Sequence, residues 1–183
     1  MTIKQYQIYP QTSKDDQAVE NLLDAAFGID RRVKTSYRLR EGEQPLAGLS
    51  FVARDENREI IGSLSFWQIH IGSNGPDAIL LGPLSVVLEN QGYGIGGTLM
   101  KEGIAAARKA GHQLILLVGD FGYYSRIGFK KFPHNRVTMP GPVDLERLLY
   151  LELQTGAFEK SVGLIHSPSR YRTAPFNNSF GSK

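Results

Sequence analysis

The sequence contains no cysteine. Disulfides, zinc–thiolate centres and cysteine nucleophiles are thereby excluded, and any covalent mechanism would have to use Ser, Thr, Lys, Asp, Glu, His or Tyr. No apolar run is long enough to span a bilayer, and the opening stretch MTIKQYQIYP lacks the apolar core of a signal peptide. The expectation is a cytoplasmic protein with no membrane partner. A net charge of only +3 falls short of the basic stripe that DNA binding uses, so no nucleic acid is expected. Internal repeats and low-complexity blocks are missing too. No Gly-Lys-Ser or Gly-Lys-Thr follows the glycine-rich stretch, which removes a Walker loop.

What remains is an ordinary globular composition, 41% apolar and 21% charged over 183 residues. That suits one domain with a real core, expected over 1–166, followed by a polar tail or draped loop over 167–183. A first strand is expected over Ile3 to Tyr9. A helix follows, with Ser13 as N-cap, Asp16 closing a capping box, and Val19, Leu22, Leu23, Ala26 and Phe27 at helical spacing before Gly28. Asp30 to Arg40 reads as a second helix whose Arg31, Arg32, Lys34, Arg38 and Arg40 form a solvated face, with attraction of an acidic partner as the alternative. Strands are expected at Leu49 to Arg54, Glu59 to Ile71 and Ala78 to Leu88. Gly82-Pro83 interrupts the third as a bulge or bend. A helix from about Gly96 to Ala110 presents Leu99, Met100, Ile104 and Ala107 inward. Gln113 to Val118 is an apolar run suited to a buried parallel strand. A short helix over Gly122 to Ile127 and strands at Phe129 to Phe132 and Leu148 to Leu153 complete the order. The fold class is mixed α/β: an antiparallel meander, one helix crossover to a parallel strand, and helices on both faces of a central sheet.

The segment Gln91-Gly92-Tyr93-Gly94-Ile95-Gly96-Gly97 lies between a strand and a helix. Glycines let backbone N–H groups approach phosphate oxygens, and a helix N-terminus adds unpaired donors and positive partial charge. Gln91 offers one more donor. A Gly-rich turn without a ligand is one alternative. Another is a dinucleotide fingerprint, because Gly92-x-Gly94-x-x-Gly97 fits it and Asp120 stands where a ribose-binding acid belongs. The spacer Glu89-Asn90-Gln91, the position after an antiparallel meander, and the lack of a second βαβ unit count against a nicotinamide-dependent oxidoreductase.

The stretch Leu84 to Met100 resembles the cofactor-binding motif of the GCN5-related N-acetyltransferases, a strand and spacer followed by Gln/Arg-x-x-Gly-x-Gly/Ala opening a helix. Gln91, Gly94 and Gly96 match it, while Leu88 stands where many members carry proline. Tyr124-Ser125-Arg126-Ile127-Gly128-Phe129 resembles the family's Tyr-x-x-x-Gly-Phe element. The resemblance covers roughly residues 3–155. It implies an acyl-CoA-dependent N-acyltransferase, moving an acetyl group from acetyl-CoA to an amine by direct attack. It places the pantetheine arm along the backbone of Leu84, Ser85 and Val86, and the pyrophosphate on Gln91, Gly92, Tyr93, Gly94, Ile95, Gly96 and Gly97. Tyr124 becomes the general acid and Tyr123 reads as packing. Among possible bases, Asp120 reads as a helix N-cap, Glu89 as solvent-facing and His70 as a core histidine. His112, His134 and His166 have no assignable partner, and water is the remaining route for the proton. No metal is expected. A monomer or homodimer is expected, as is an amine acceptor whose identity the resemblance leaves open. A non-catalytic acyl-CoA-binding module is the main alternative.

Overall fold

The computed structural model describes residues 5–169. The expected tail beyond Ser169, like Ile3, lies outside the described residues. Ser167 itself is only 1% exposed, so packing against the domain runs past residue 166.

The chain order is β1 (Tyr6–Pro10), α1 (Asp16–Phe27), α2 (Thr35–Arg38), β2 (Ser50–Asp55), β3 (Ile60–Ile71), β4 (Ala78–Val86), α3 (Ile95–Lys109), β5 (Leu114–Val118), α4 (Phe121–Tyr124), β6 (Lys130–Lys131), β7 (Val137–Thr138), β8 (Leu148–Glu152) and β9 (Gly163–His166). The main sheet runs β1-β2-β3-β4-β5-β8-β6, with β9 joined to the end of β3 and β7 to β9. β1 to β4 form the antiparallel meander; β4 and β5 are the parallel pair that α3 connects.

Side-chain alternation assigns the two faces of the sheet. Ala53, Leu64, Phe66, Ile79, Ile115 and Leu117 point to α3, where Ile95, Leu99, Met100 and Ala107 complete a buried core. Val52 points the other way, to Val19 and Leu23 of α1. A further cluster joins Ile69, Leu80 and Leu116 to Leu39, Phe132, Val137 and Ile165. Helices therefore cover both faces.

The capping residue lies one position earlier than the sequence pattern suggests, and a 3₁₀ turn precedes α1. Thr12 caps a single 3₁₀ turn over Ser13–Asp15, and Asp15 closes the capping box by accepting from the Thr12 N–H at 2.8 Å. Asp15 wins this place because its other oxygen takes the Arg54 guanidinium of β2 at 2.5 Å, which ties the helix entry to the sheet. The expected helix over Asp30 to Arg40 is broken. A 3₁₀ turn over Ile29–Val33 and the four-residue α2 flank Lys34, which is extended. Arg31 is drawn inward at 2% exposure by Asp24 and Glu20 of α1. Thr35 turns to donate to the Pro142 carbonyl. These two anchors, both set by distant residues, override a continuous helix. β7 and β9 were not visible as strand patterns. Each is short and exists by pairing with a remote segment.

Gly103 lets α3 approach β3. A Cβ there would lie 2.6 Å from Phe66 Cε2 and 2.9 Å from Leu64 Cδ2, both in the core. Gly103→Val is expected to lower stability by about 1–3 kcal/mol, or roughly 3–10 °C in melting temperature. Calorimetry checks it; an unchanged transition would mean that α3 sits farther from the sheet.

Candidate functional site

β4 and β5 pair only through Ala78, Ile79 and Leu80 against Leu114, Ile115 and Leu116. Beyond that point they part, and among the described residues β4 runs on to Val86 with no partner on this edge. The opposite edge stays paired to β3. Between Leu64 and Phe66 that ladder slips, so that Gly82 and Pro83 stand against Ser65 alone. The expected interruption is thus a bulge, and its Gly82-Pro83 peptide is cis.

The bulge fixes which backbone groups face the gap. Val87 N–H donates to Ile61 O, so by ladder alternation Ser85 also turns to β3, while Leu84 and Val86 present N–H and C=O to the open side. Ser85, expected to share in holding a ligand along this edge, therefore faces Ser63 instead. Its hydroxyl is buried without a partner.

At the far end of β4 a 3₁₀ turn over Leu88–Asn90 leads to Gln91, and Gly94 caps α3 with φ +81°. A side chain rarely adopts that conformation, which explains glycine there. A Cβ on Gly92 or Gly97 would meet nothing within 4 Å, so both face open space. The first-turn N–H groups of α3 have no intrahelical acceptor, and the turn contains no acid. Tyr6 of β1 steadies this turn through its hydroxyl, 2.8 Å from Thr98 Oγ1. Gln91 Nε2 donates to Val86 O at 3.2 Å, which leaves its second amide hydrogen for a ligand. Tyr93 is exposed and Ile95 is buried in the core. Ile95 can therefore contribute only its backbone to a ligand.

On the β5 side, Asp120 caps α4 by accepting from Tyr123 N–H at 2.9 Å. It is the N-cap that the sequence favours, and its oxygen is committed there rather than to a ribose. Tyr124 is half-buried and its ring lies edge-on to Phe129. The ring rests against Gly119, where any Cβ would collide with it. Burial, reinforced by the neighbouring Tyr123 phenol and slightly opposed by Arg147, pushes the Tyr124 hydroxyl up to about 12. Tyr123 departs from the packing role expected of it. It is 41% exposed, and its hydroxyl lies 2.9 Å from the point where a Gly96 Cβ would stand. Tyr123 thus borders the gap between β4 and α4.

Of the remaining candidates, His70 pairs in register with His166 where β3 meets β9. Burial, with His166 beside it, lowers its pKa. It lies five residues beyond the bulge position Ser65, about 17 Å along a strand. His112 meets Asp77 at the start of β4, and His134 meets Glu146. Glu89 is exposed in the 3₁₀ turn. Among the described residues no group of acids and histidines could hold a metal, and no helix is long and apolar enough to cross a membrane.

Across the sheet from α3 lies a cavity of about 1100 Å³. Its walls are α1, the Arg31 turn, α2 and the segment through Leu46; its floor is Ser50, Ser63, Ser65, Trp67 and Pro83 of the sheet. The basic run is not a uniform solvated face. Arg32 and Arg38 are exposed, but Arg31 is buried between acids, and Arg40 stacks on Tyr37 at 4.6 Å with Trp67 at 5.8 Å.

Comparison with known proteins agrees with this geometry. The Acetyltransferase (GNAT) family model matches residues 17–129. YjhQ, an uncharacterised N-acetyltransferase of Escherichia coli K12, is 30% identical over 132 residues, 71% of this chain and 72% of its own. YhbS of the same strain, also an uncharacterised N-acetyltransferase, is 29% identical over 69% of this chain and 76% of its own. In three dimensions, the E. coli YhbS structure in complex with CoA superposes with a TM-score of 0.78 over 94% of each chain, at 23% identity. A GNAT family acetyltransferase from Brucella melitensis in complex with acetyl-CoA gives 0.59 over 85% of this chain and 99% of its own, at 27% identity. A strand that loses its partner at a bulge and then feeds a glycine-capped helix, matched by a family model over most of the chain, leads to one assignment: the protein belongs to the GNAT family of acyl-CoA-dependent N-acetyltransferases.

Proposed function

We propose that acetyl-CoA lies in the gap between β4 and β5 and that an amine reaches its thioester from the cavity on the α1 side. The carrying observation is the open edge of β4, where the Leu84 and Val86 backbone groups face a gap that ends at the α3 N-terminus. The pantetheine amides extend the sheet by pairing with Leu84 and Val86. The pyrophosphate sits on the first-turn N–H groups of α3 around Gly94, Ile95, Gly96 and Gly97, with Gln91, Gly92 and Tyr93 at its flank.

A neutral amine attacks the thioester carbonyl carbon. Charge develops on the carbonyl oxygen, and the N–H of Leu84, at the bulge end of this edge, stabilises it. The C–S bond then breaks and CoA leaves as thiolate, while the ammonium nitrogen gives its proton to water or to an acid at the cavity rim. Tyr124 assists the departure. A thiol has a pKa near 8.5, well below the value of about 12 to which burial raises this phenol. Outright proton transfer from Tyr124 to the sulfur is therefore uphill. Its role is to donate a hydrogen bond to the forming thiolate, with solvent completing the protonation. Binding of both substrates in one gap supplies the proximity.

A single chain supplies both the cofactor edge and the cavity.

Acetyl-CoA at one hundred times its dissociation constant is expected to stabilise the protein by about 2.7 kcal/mol, visible as a melting shift that NAD does not give. Gly94→Glu should abolish that shift, because it strains the left-handed cap and puts a carboxylate in the phosphate site. Unchanged CoA protection in the folded variant would move the pyrophosphate elsewhere.

Tyr124→Phe is expected to lower kcat about tenfold to a hundredfold, the worth of a hydrogen bond to a charged group, with little change in acetyl-CoA affinity. Gly119→Ala should mimic it by displacing the ring. Since the raised pKa keeps Tyr124 protonated, the kcat profile should show no Tyr124-dependent fall up to about pH 10.5. Steady-state kinetics against pH checks this. A fall near pH 10 in the wild type that Tyr124→Phe removes would show an unburied, titrating phenol.

A further inference from the structure

Buried polar atoms without partners are uncommon in folded proteins, and each needs a reason. Among the described residues eight such side-chain atoms occur, and six belong to residues lining the cavity beside α1: Gln11 Oε1, Tyr37 OH, Arg40 Nε, Arg40 Nη1, Ser50 Oγ and Ser63 Oγ; of these, the Tyr37 oxygen lies beside the Arg31 and Arg40 guanidiniums and favours their charge. Their concentration marks a place where a polar ligand completes the hydrogen bonding.

Arg40 sets the charge of that ligand. Leu39 is anchored in the core at 1% exposure, and the following residue turns back under the cavity. The Arg40 guanidinium is held between the Tyr37 and Trp67 rings. Trp67 is itself fixed by donating from Nε1 to the Gly82 carbonyl at 2.7 Å. The fork is thus oriented before anything binds. No carboxylate answers it. Glu20 is engaged by Arg31 and Arg32, Glu43 accepts from the Ser169 N–H, and Asp16 and Glu41 stand exposed at the rim. Burial presses against the charge, pulling its pKa down to about 10, yet it remains a cation at neutral pH.

Arg40 also lies at the reacting end of the cavity. The point where a Gly82 Cβ would stand is 3.2 Å from Arg40 Nη2 and 3.7 Å from Leu84 N. The guanidinium therefore borders the same stretch of β4 that faces the thioester in the reading above.

We propose that the acceptor is an amine that also bears a carboxylate, and that Arg40 binds this carboxylate with the Tyr37 hydroxyl and the Ser50 and Ser63 hydroxyls completing the polar contacts. The inference rests on the acceptor entering from this cavity. A planar, pre-stacked guanidinium matches a carboxylate in a bidentate fork, which an ammonium or an amide cannot replace. The exposed acids at the rim, Asp16 and Glu41, suit the approach of the amine end.

The test uses matched acceptors: amino acids against their α-amides, and ω-amino acids against the corresponding amino alcohols. Wild type should favour the carboxylate member in kcat/KM by ten- to a hundredfold. Arg40→Gln should abolish that preference through acceptor KM, with acetyl-CoA KM unchanged, and Arg40→Lys should restore part of it. A wild type that treats both members alike, a preference that survives in Arg40→Gln, or a rise in acetyl-CoA KM instead would overturn the proposal. Calorimetric titration of the CoA-bound protein with N-acetyl amino acids and their amides separates this from the catalytic reading. Binding that needs both the carboxylate and Arg40, in a protein that turns over no amine, would uphold the site and sink the transfer reaction. Turnover without carboxylate-dependent binding would do the reverse. Melting temperatures of the variants within a few degrees of wild type confirm that each is folded.

Discussion

The parting of β4 from β5 after Leu80 and Leu116 is the constraint on which the rest of the molecule depends. A parallel pair normally zips along its full length, since each unpaired backbone group otherwise forfeits a hydrogen bond. Here two features hold the strands apart. The bulge at Gly82-Pro83 redirects β4 while β3 keeps hold of it through Val86. On the other side Gly119 ends β5, its N–H donating to Arg147 O, and Asp120 turns the chain into α4 at once. The unpaired edge of β4 is an open strand position. An extended arm with alternating amides can fill it, which is how a sheet edge recognises an extended ligand in general.

The cofactor and the acceptor are then served by different chemistry. In the proposed complex, recognition along β4 and at α3 uses backbone N–H and C=O groups, so it asks of the sequence mainly that side chains stay out of the way. Gly92, Gly94 and Gly97 meet that demand. On the opposite face the cavity is lined by side chains, and their orphaned donors are costly. A buried group left without a hydrogen bond costs about 1–3 kcal/mol, a cost that the acceptor offsets in the proposed complex. Such stored cost is tolerable only where the surroundings over-determine the geometry, as the Arg31 clamp to Glu20 and Asp24 and the Trp67 tie to Gly82 do here.

Legibility in the sequence follows the same division. The meander, the crossover helix and the parallel strand were readable because their signals are local: alternation, a helical period, a glycine cluster. The Gly94 cap and the Tyr124 element are local motifs as well, and the helix N-cap role of Asp120 followed from its place after a strand. What escaped was set by distant partners. Nothing near Ser13 reveals that Asp15 is claimed by Arg54, thirty-nine positions away. The break at Lys34 depends on Asp24, Glu20 and Pro142. Arg40 looked like one more cation of a solvated helix because its burial depends on Trp67 and Gly82, which sequence proximity cannot show. A usable signal did exist. Leu39, apolar among cations, hinted that this turn enters the core and takes its neighbour with it.

The two halves of the site also divide the work of the reaction. In the proposed reaction Tyr124, its pKa raised by burial, contributes an oriented hydrogen bond rather than proton transfer. Orientation is therefore what the surrounding residues must supply, and they do so sterically. The bare face of Gly119 receives one side of the ring, Phe129 meets its edge, and the Asp120 cap fixes the first turn that bears it. On the proposed acceptor side Arg40 is likewise immobilised by stacking. In the proposed complex much of the ordering cost is met during folding, and binding energy from the long CoA arm and from a carboxylate-bearing acceptor goes into bringing amine and thioester together.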